Sequence, residues 1–292
     1  MVDGDMAPPL PRAGGERGGF WRRFPLWLSL GVLILLVAAA VFAPQLAPYP
    51  PDDIDLERRL SPPGAEHWLG TDHLGRDVLS RLIWGTRVSL GAVVLIAVFI
   101  LATGFATGSL SGWIGGWFDT LVMRICEVFM TFPTFILAMF LIGILGRGLT
   151  NVIIAIVLTH WAWYARIVRS MVISLKERDY IRAAAVAGGS RAGIFLRHVA
   201  PSVGAQMLIL ASLDLGHMML HVSGLSFLGM GIQPPTPEWG VMINDARAQI
   251  WTNPGLVVAP GMMILLTVLA FNIPGDYLRD RLDPTLAGDE GH

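Results

Sequence analysis

Asp214, His217 and His221 stand three and four residues apart within a long apolar run, so on a helix their side chains share one face. Imidazole beside carboxylate suits a divalent transition metal, with the carboxylate either holding the ring tautomer or binding the ion itself. His160, in a separate apolar run, is a further candidate ligand from a neighbouring helix. Met218 and Met219 are weaker candidates, because thioether is a soft ligand and methionine commonly fills cores. Ionisable groups at such depth are costly and normally face a cavity or a partner. The alternative for the same histidines is a packing role, each ring hydrogen-bonded to an adjacent helix. If they line a pore, they must also release what they bind, so a tight four-ligand cage is not expected.

Two enzymatic readings are tested by spacing. The stretch from His217 to His221 has the outline of the H-E-x-x-H zinc-protease motif, but Met218 holds the place of the catalytic glutamate, leaving an intramembrane metalloprotease as a distant alternative. A phosphate-cradling P-loop needs a lysine followed by serine or threonine, and Lys176, the only lysine, is followed by Glu177. No catalytic residue is therefore assigned, no cofactor is expected on this chain, and any ATP chemistry falls to separate subunits.

The elements that position these groups are membrane helices. Hydrophobic residues make up 53% of the chain and charged residues 15%, and the mean hydropathy is +0.58, a bilayer protein's balance. The formal net charge of -1 gives no basic face for nucleic acid. One cysteine, Cys126, excludes an intrachain disulfide and reads as a buried thiol. The first 25 residues are polar, with Arg12, Arg17, Arg22 and Arg23, and no small-residue cleavage pattern follows the first apolar run, so that run is expected to be a retained anchor.

A crossing of about 30 Å needs about 20 mostly apolar residues, and six runs qualify, at 26–43, 88–111, 121–145, 151–172, 203–231 and 256–273. Backbone in lipid must satisfy its own hydrogen bonds, so these predict an all-α polytopic fold. Arginine and lysine bias places most of the 21 basic residues, including Arg124, Arg166, Arg169, Lys176, Arg178 and Arg191, on the side of both termini, which predicts cytoplasmic termini. The expected organisation is a cytoplasmic tail over 1–25, a first span at 26–43, a periplasmic loop over 44–87, a permeation core over 88–273 and a cytoplasmic tail over 274–292. The outer segments 44–87 and 232–255 open with proline-rich stretches and read as small structured caps. In the second span Gly104, Gly108 and Gly112 recur every fourth residue, which either lets a helix approach closely or reflects the ordinary abundance of glycine in membranes.

Ser174 to Pro201 is the most charged inner segment. A helix-favouring stretch from Tyr180 to Ala187 stops at Gly188 and Gly189, and a second short helix is expected to close before Pro201. Its residues carry a resemblance. Ala183, Ala184 and Gly188 are similar to the EAA loop of ABC-importer permeases, with Arg182 standing where that loop usually has glutamate. The stretch Leu69-Gly70-Thr71-Asp72-His73-Leu74-Gly75-Arg76-Asp77 resembles the signature of the peptide and nickel permease family, C-subunit branch, as do Phe132-Pro133, Tyr164-Ala165-Arg166 and Leu225-Ser226-Phe227-Leu228-Gly229. His160-Trp161-Ala162-Trp163, Gly216-His217-Met218-Met219-Leu220-His221 and Glu238-Trp239-Gly240 are similar to the nickel-importing members.

The resemblance implies a bacterial inner-membrane permease that pairs with a second permease, two ATPases and a periplasmic binding protein. It implies that Arg182, Ala183, Ala184, Gly188 and Pro201 form the ATPase-docking element, and that nickel, free or chelated, is the cargo. Asp214, His217, His221 and His160 would then offer transient ligands. A dipeptide or oligopeptide permease is the alternative, with a wider passage and no metal ligands.

Overall fold

The computed structural model describes residues 18–282 of the chain, so the tails at 1–17 and 283–292, with Arg12 and Arg17, lie outside the described residues. The described residues are mostly helical, with no strands and a single isolated bridge between Thr71 and Asp77. In order the helices are α1 (Gly18–Val41), α2 (Ala43–Leu46), α3 (Val78–Ile114), α4 (Gly116–Thr131), α5 (Thr134–Leu145), α6 (Leu149–Lys176), α7 (Asp179–Val186), α8 (Arg191–Ile194), α9 (Ala200–Phe227), α10 (Trp239–Ala246) and α11 (Gly255–Leu282). Five are long and apolar enough to cross a membrane, and six crossings result if the bent pair α4 and α5 counts as one.

Several boundaries differ from the hydropathy pattern, among them the start of α1 at Gly18, eight residues before the expected 26. Helix α3 starts at Val78, ten residues before the expected 88, because the Asp77 carboxylate accepts from Ser80 N–H at 2.8 Å and caps it. Arg81, in its first turn, is buried. The expected span 121–145 is not one helix: α4 and α5 meet at 91°. Pro133 brings no N–H and forces Phe132 into extended backbone at φ -97°, ψ 140°.

The short helix expected to close before Pro201 instead runs into α9. A π-turn over Phe195–Val199 bridges them, and Ala200 N–H reaches back five residues to Phe195 O. The wider π register absorbs a proline that has no N–H to give. Finally, α11 runs on from 273 through Leu282.

Helices α3 and α6 form the centre. A Cβ on Gly104 would sit 2.6 Å from Tyr164 Cβ, on Gly108 2.3 Å from Ala165 O, and on Gly112 2.9 Å from Arg169 O. The glycine repeat is therefore a seat for α6, as small residues spaced by four allow in lipid. That seat fixes the height and rotation of α6 and with them His160 and Tyr164.

The cap formed by the 44–77 loop and α10 docks through buried polar groups. Arg76 donates to Asp72 at 2.7 Å and Asp245 at 3.4 Å, tying the 44–77 loop to α10. Glu238, fully buried, accepts from Ser89 at 3.2 Å, Ser223 at 3.0 Å and Val241 N–H at 2.9 Å, joining α3, α9 and α10.

Candidate functional site

Asp214 on α9 faces α6 across the bundle. His160 Nε2 lies 2.8 Å from Asp214 Oδ2, and Tyr164 donates its hydroxyl to the same oxygen at 3.2 Å. Residues 160 and 164 are one turn apart, so α6 presents both donors to one carboxylate. Tyr164 is completely buried and is held by the Gly104 seat. The carboxylate therefore takes its position from the close glycine-seated contact between α3 and α6. A carboxylate only accepts, so His160 donates its Nε2–H to Asp214, and the neutral ring in that tautomer keeps its lone pair on Nδ1.

The other two histidines stand differently. His221 Nδ1 is 2.8 Å from His217 O, a carbonyl that only accepts, so the ring carries its proton there and leaves the Nε2 lone pair free. Its ring lies 6.4 Å from that of His160 and 5.9 Å from that of Phe135, centroid to centroid. His217 is the outlier: its side chain is 69% exposed and its Nδ1 is 3.6 Å from Asp214 Oδ1, too far for a hydrogen bond. Of the four residues singled out for metal, then, the fold joins His160 to Asp214, places His221 beside them, and leaves His217 at the rim. Among the described residues no group of three or more His, Cys, Asp or Glu side chains is arranged to hold a metal ion.

A cavity of about 170 Å³ opens beside the pair, lined by Thr159, His160, Trp163 and Asp214 and, from the broken segment, by Phe129, Met130, Phe132 and Thr134. Exposed backbone at a helix break is tolerated at membrane depth where it is covered by protein or lines a cavity, and the break at Phe132 and Pro133 does the latter. The site thus combines a carboxylate, two imidazole lone pairs and aromatic walls. That set can pass a cation with brief ligation, or orient a small polar solute.

The second candidate element is α7. Arg178 caps its start through backbone, accepting from Ile181 N–H at 3.0 Å and Arg182 N–H at 3.2 Å. Gly188 follows at φ +87°, a left-handed conformation that stops the helix and costs a side-chain-bearing residue strain. Val186 is 91% exposed and Tyr180 half exposed, while Ile181 is buried against the bundle. Ala183 and Ala184 add little bulk, so a short, mostly bare helix projects from the end of α6.

Sequence reasoning missed Tyr164 as a site residue, although its place four residues after His160 was the available signal. It also missed Asp119 on α4, whose carboxylate meets Arg169 at 2.5 Å through both oxygens and accepts from Ser111. That pairing joins the ends of α3, α4 and α6, and no spacing in the chain announced it.

Residues 104–288 match the family described as binding-protein-dependent transport system inner membrane component, and residues 19–63 match the N-terminal TM domain of oligopeptide transport permease C. The chain is 52% identical over 270 residues to the nickel transport system permease protein NikC of Escherichia coli, covering 92% of this chain and 98% of that one. It is 44% identical over 276 residues to the glutathione transport system permease protein GsiD of Shigella flexneri, covering 92% and 90% respectively.

Proposed function

The chain belongs to the family of binding-protein-dependent transport system inner membrane components, and from that premise we propose that it is the permease which, with a second permease subunit, forms the transmembrane path for nickel as an ion or a small chelate. The observation that carries the cargo is the Asp214–His160 pair with His221 beside it, on the wall of the cavity at the broken span. Imidazole and carboxylate suit divalent nickel, and a site short of a full ligand set lets it go again. Asp214, His160, His221 and, more weakly placed, His217 are the transient ligands.

The chain brings no ATPase site of its own. Two ATPase subunits supply the energy by docking on Arg182, Ala183, Ala184 and Gly188, where the projecting helix offers Val186 and Tyr180. Pro201 lies where the docking segment passes through the π-turn into α9, so displacement of α7 and α8 is carried into the helix that bears Asp214. Both termini face the cytoplasm of the inner membrane, and a periplasmic binding protein delivers cargo to the proline-rich outer caps. Nucleic acid has no part.

A peptide permease is the second reading, favoured by the GsiD likeness and by the aromatic walls of the cavity. Uptake of radiolabelled nickel and of a radiolabelled dipeptide into vesicles carrying the assembled complex separates the two. We expect nickel uptake that falls in a His160→Ala/His221→Ala double variant at matched complex abundance. Equal initial rates for variant and wild type across nickel concentrations would remove the ligand assignment, and dipeptide uptake without nickel uptake would replace the cargo.

A further inference from the structure

A second cavity, about 480 Å³, opens at the end of α6 nearest the docking helix, with Ser170, Ser174, Arg178 and Gln206 among its walls. Residues 160, 163, 167, 170 and 174 follow one another at intervals of three and four along one face of α6, and Arg178 stands two residues past its end, in extended backbone at the start of α7. The first two line the cavity beside Asp214 and the last four line this one. On α9, Gln206 lies two turns before Asp214, close to the same face. The two cavities are thus stations along a single strip of α6 and α9, apolar at Ile167 and polar on either side of it.

The charge at the inner station is specific. Arg169 is engaged by Asp119, and Lys176 donates to Gly112 O at 3.1 Å and Trp113 O at 3.0 Å, so both turn toward α3 and α4. Arg178 has no ion-pair partner among the described residues, and it borders the cavity. Its backbone belongs to the docking helix, since its carbonyl accepts from Ile181 and Arg182 N–H. A rigid movement of α7 must therefore carry the guanidinium with it.

Building on the proposal that this chain lines a transport path, we propose that Arg178 is the charge gate of the inner mouth. Its cation faces the strip leading from Asp214, opposes outward return or idle passage of cations while it borders the mouth, and is displaced when the docking helix moves. Arg178 is a positioning residue for the field at the mouth and ligates nothing.

The test needs no cargo, so it stands apart from the nickel assignment. The one native cysteine, Cys126, is buried, which keeps background labelling low. Ser174→Cys, in the assembled complex in inverted membrane vesicles, is treated with size-matched anionic and cationic methanethiosulfonate reagents, with rates normalised to a free thiol. We expect the anionic reagent to be favoured about threefold or more. That preference should vanish in Arg178→Ala, persist in Arg178→Lys, and change when the ATPases are trapped with a non-hydrolysable nucleotide. No labelling of Cys at 174 or at a Ser170→Cys variant, an unchanged preference in Arg178→Ala, or a Lys variant that behaves like Ala would each overturn the gate. Loss of nickel uptake in wild type would instead strike only the cargo.

Discussion

The bundle buries two sets of polar side chains, and they meet the cost of burial in opposite ways. In the cap, Glu238 is enclosed by two hydroxyls and a backbone N–H, and Arg76 is held between Asp72 and Asp245. Beside the broken span, Asp214 is anchored by His160 and Tyr164, but the imidazole lone pairs of His160 and His221 have no protein donor among the described residues, and a cavity adjoins His160 and Asp214. Saturated polar groups rigidify a structure, whereas groups left open at membrane depth mark a path. The cap pairs Glu238 and Arg76 on every side, with Arg81 Nη2 a buried polar atom left without a partner among the described residues, whereas the cluster leaves His160 and Asp214 beside open space, as the proposed path requires.

The strongest way to break that contrast is Glu238→Ala. It strands the Ser89 and Ser223 hydroxyls and the Val241 N–H in a dry site, at about 1–3 kcal/mol for each group left unpaired. Thermal unfolding of the purified complex should show a fall in midpoint of several degrees and reduced abundance in the membrane. An unchanged melting curve would mean that the cap is not a structural keystone.

Gly188→Val acts on neither set and serves as the mechanical control. The left-handed φ of +87° makes a β-branched residue strained by about 1–3 kcal/mol, enough to deform the turn after α7. Transport-coupled ATP hydrolysis in reconstituted complexes should collapse while insertion and thermal midpoint stay near wild type. Normal coupled hydrolysis would remove the docking assignment.

Asp214→Asn sharpens the contrast from the cluster's side. The amide keeps the shape and one acceptor for His160 and Tyr164 but loses the charge that a passing cation meets. Nickel uptake should fall about tenfold, equivalent to about 1.4 kcal/mol, with the melting midpoint moved far less than by Glu238→Ala. A stability loss as large as that of the cap variant would make the cluster structural too.

The smallest effect is expected for His217→Ala. At 69% exposure and 3.6 Å from Asp214, the ring contributes little here, so uptake should change less than about twofold, within the range of ordinary surface substitutions. An effect equal to that of His160→Ala would show that His217 swings inward during transport.

How much of this could be read from the chain follows from what periodicity encodes. The one-face placement of Asp214, His217 and His221, the stop at Gly188 and Gly189, and the glycine ridge at 104, 108 and 112 all depend on positions within a single helix, so the sequence by itself determined them. Hydropathy likewise marked the crossing segments, and Pro133 already carried the reason for a break, although the apolar run around it hid the 91° turn. Only the tertiary structure decided that His160, 54 residues before Asp214, takes its proton-bearing contact in place of the near neighbour His217. It likewise decided that Arg81 is buried, that the chain enters α9 at Pro201 through a π-turn, and that Arg178 borders a cavity near the end of the strip. A helix pattern specifies which way side chains point around one axis, but which axis lies opposite is set by packing, here by Tyr164 and Ala165 pressed onto bare glycine.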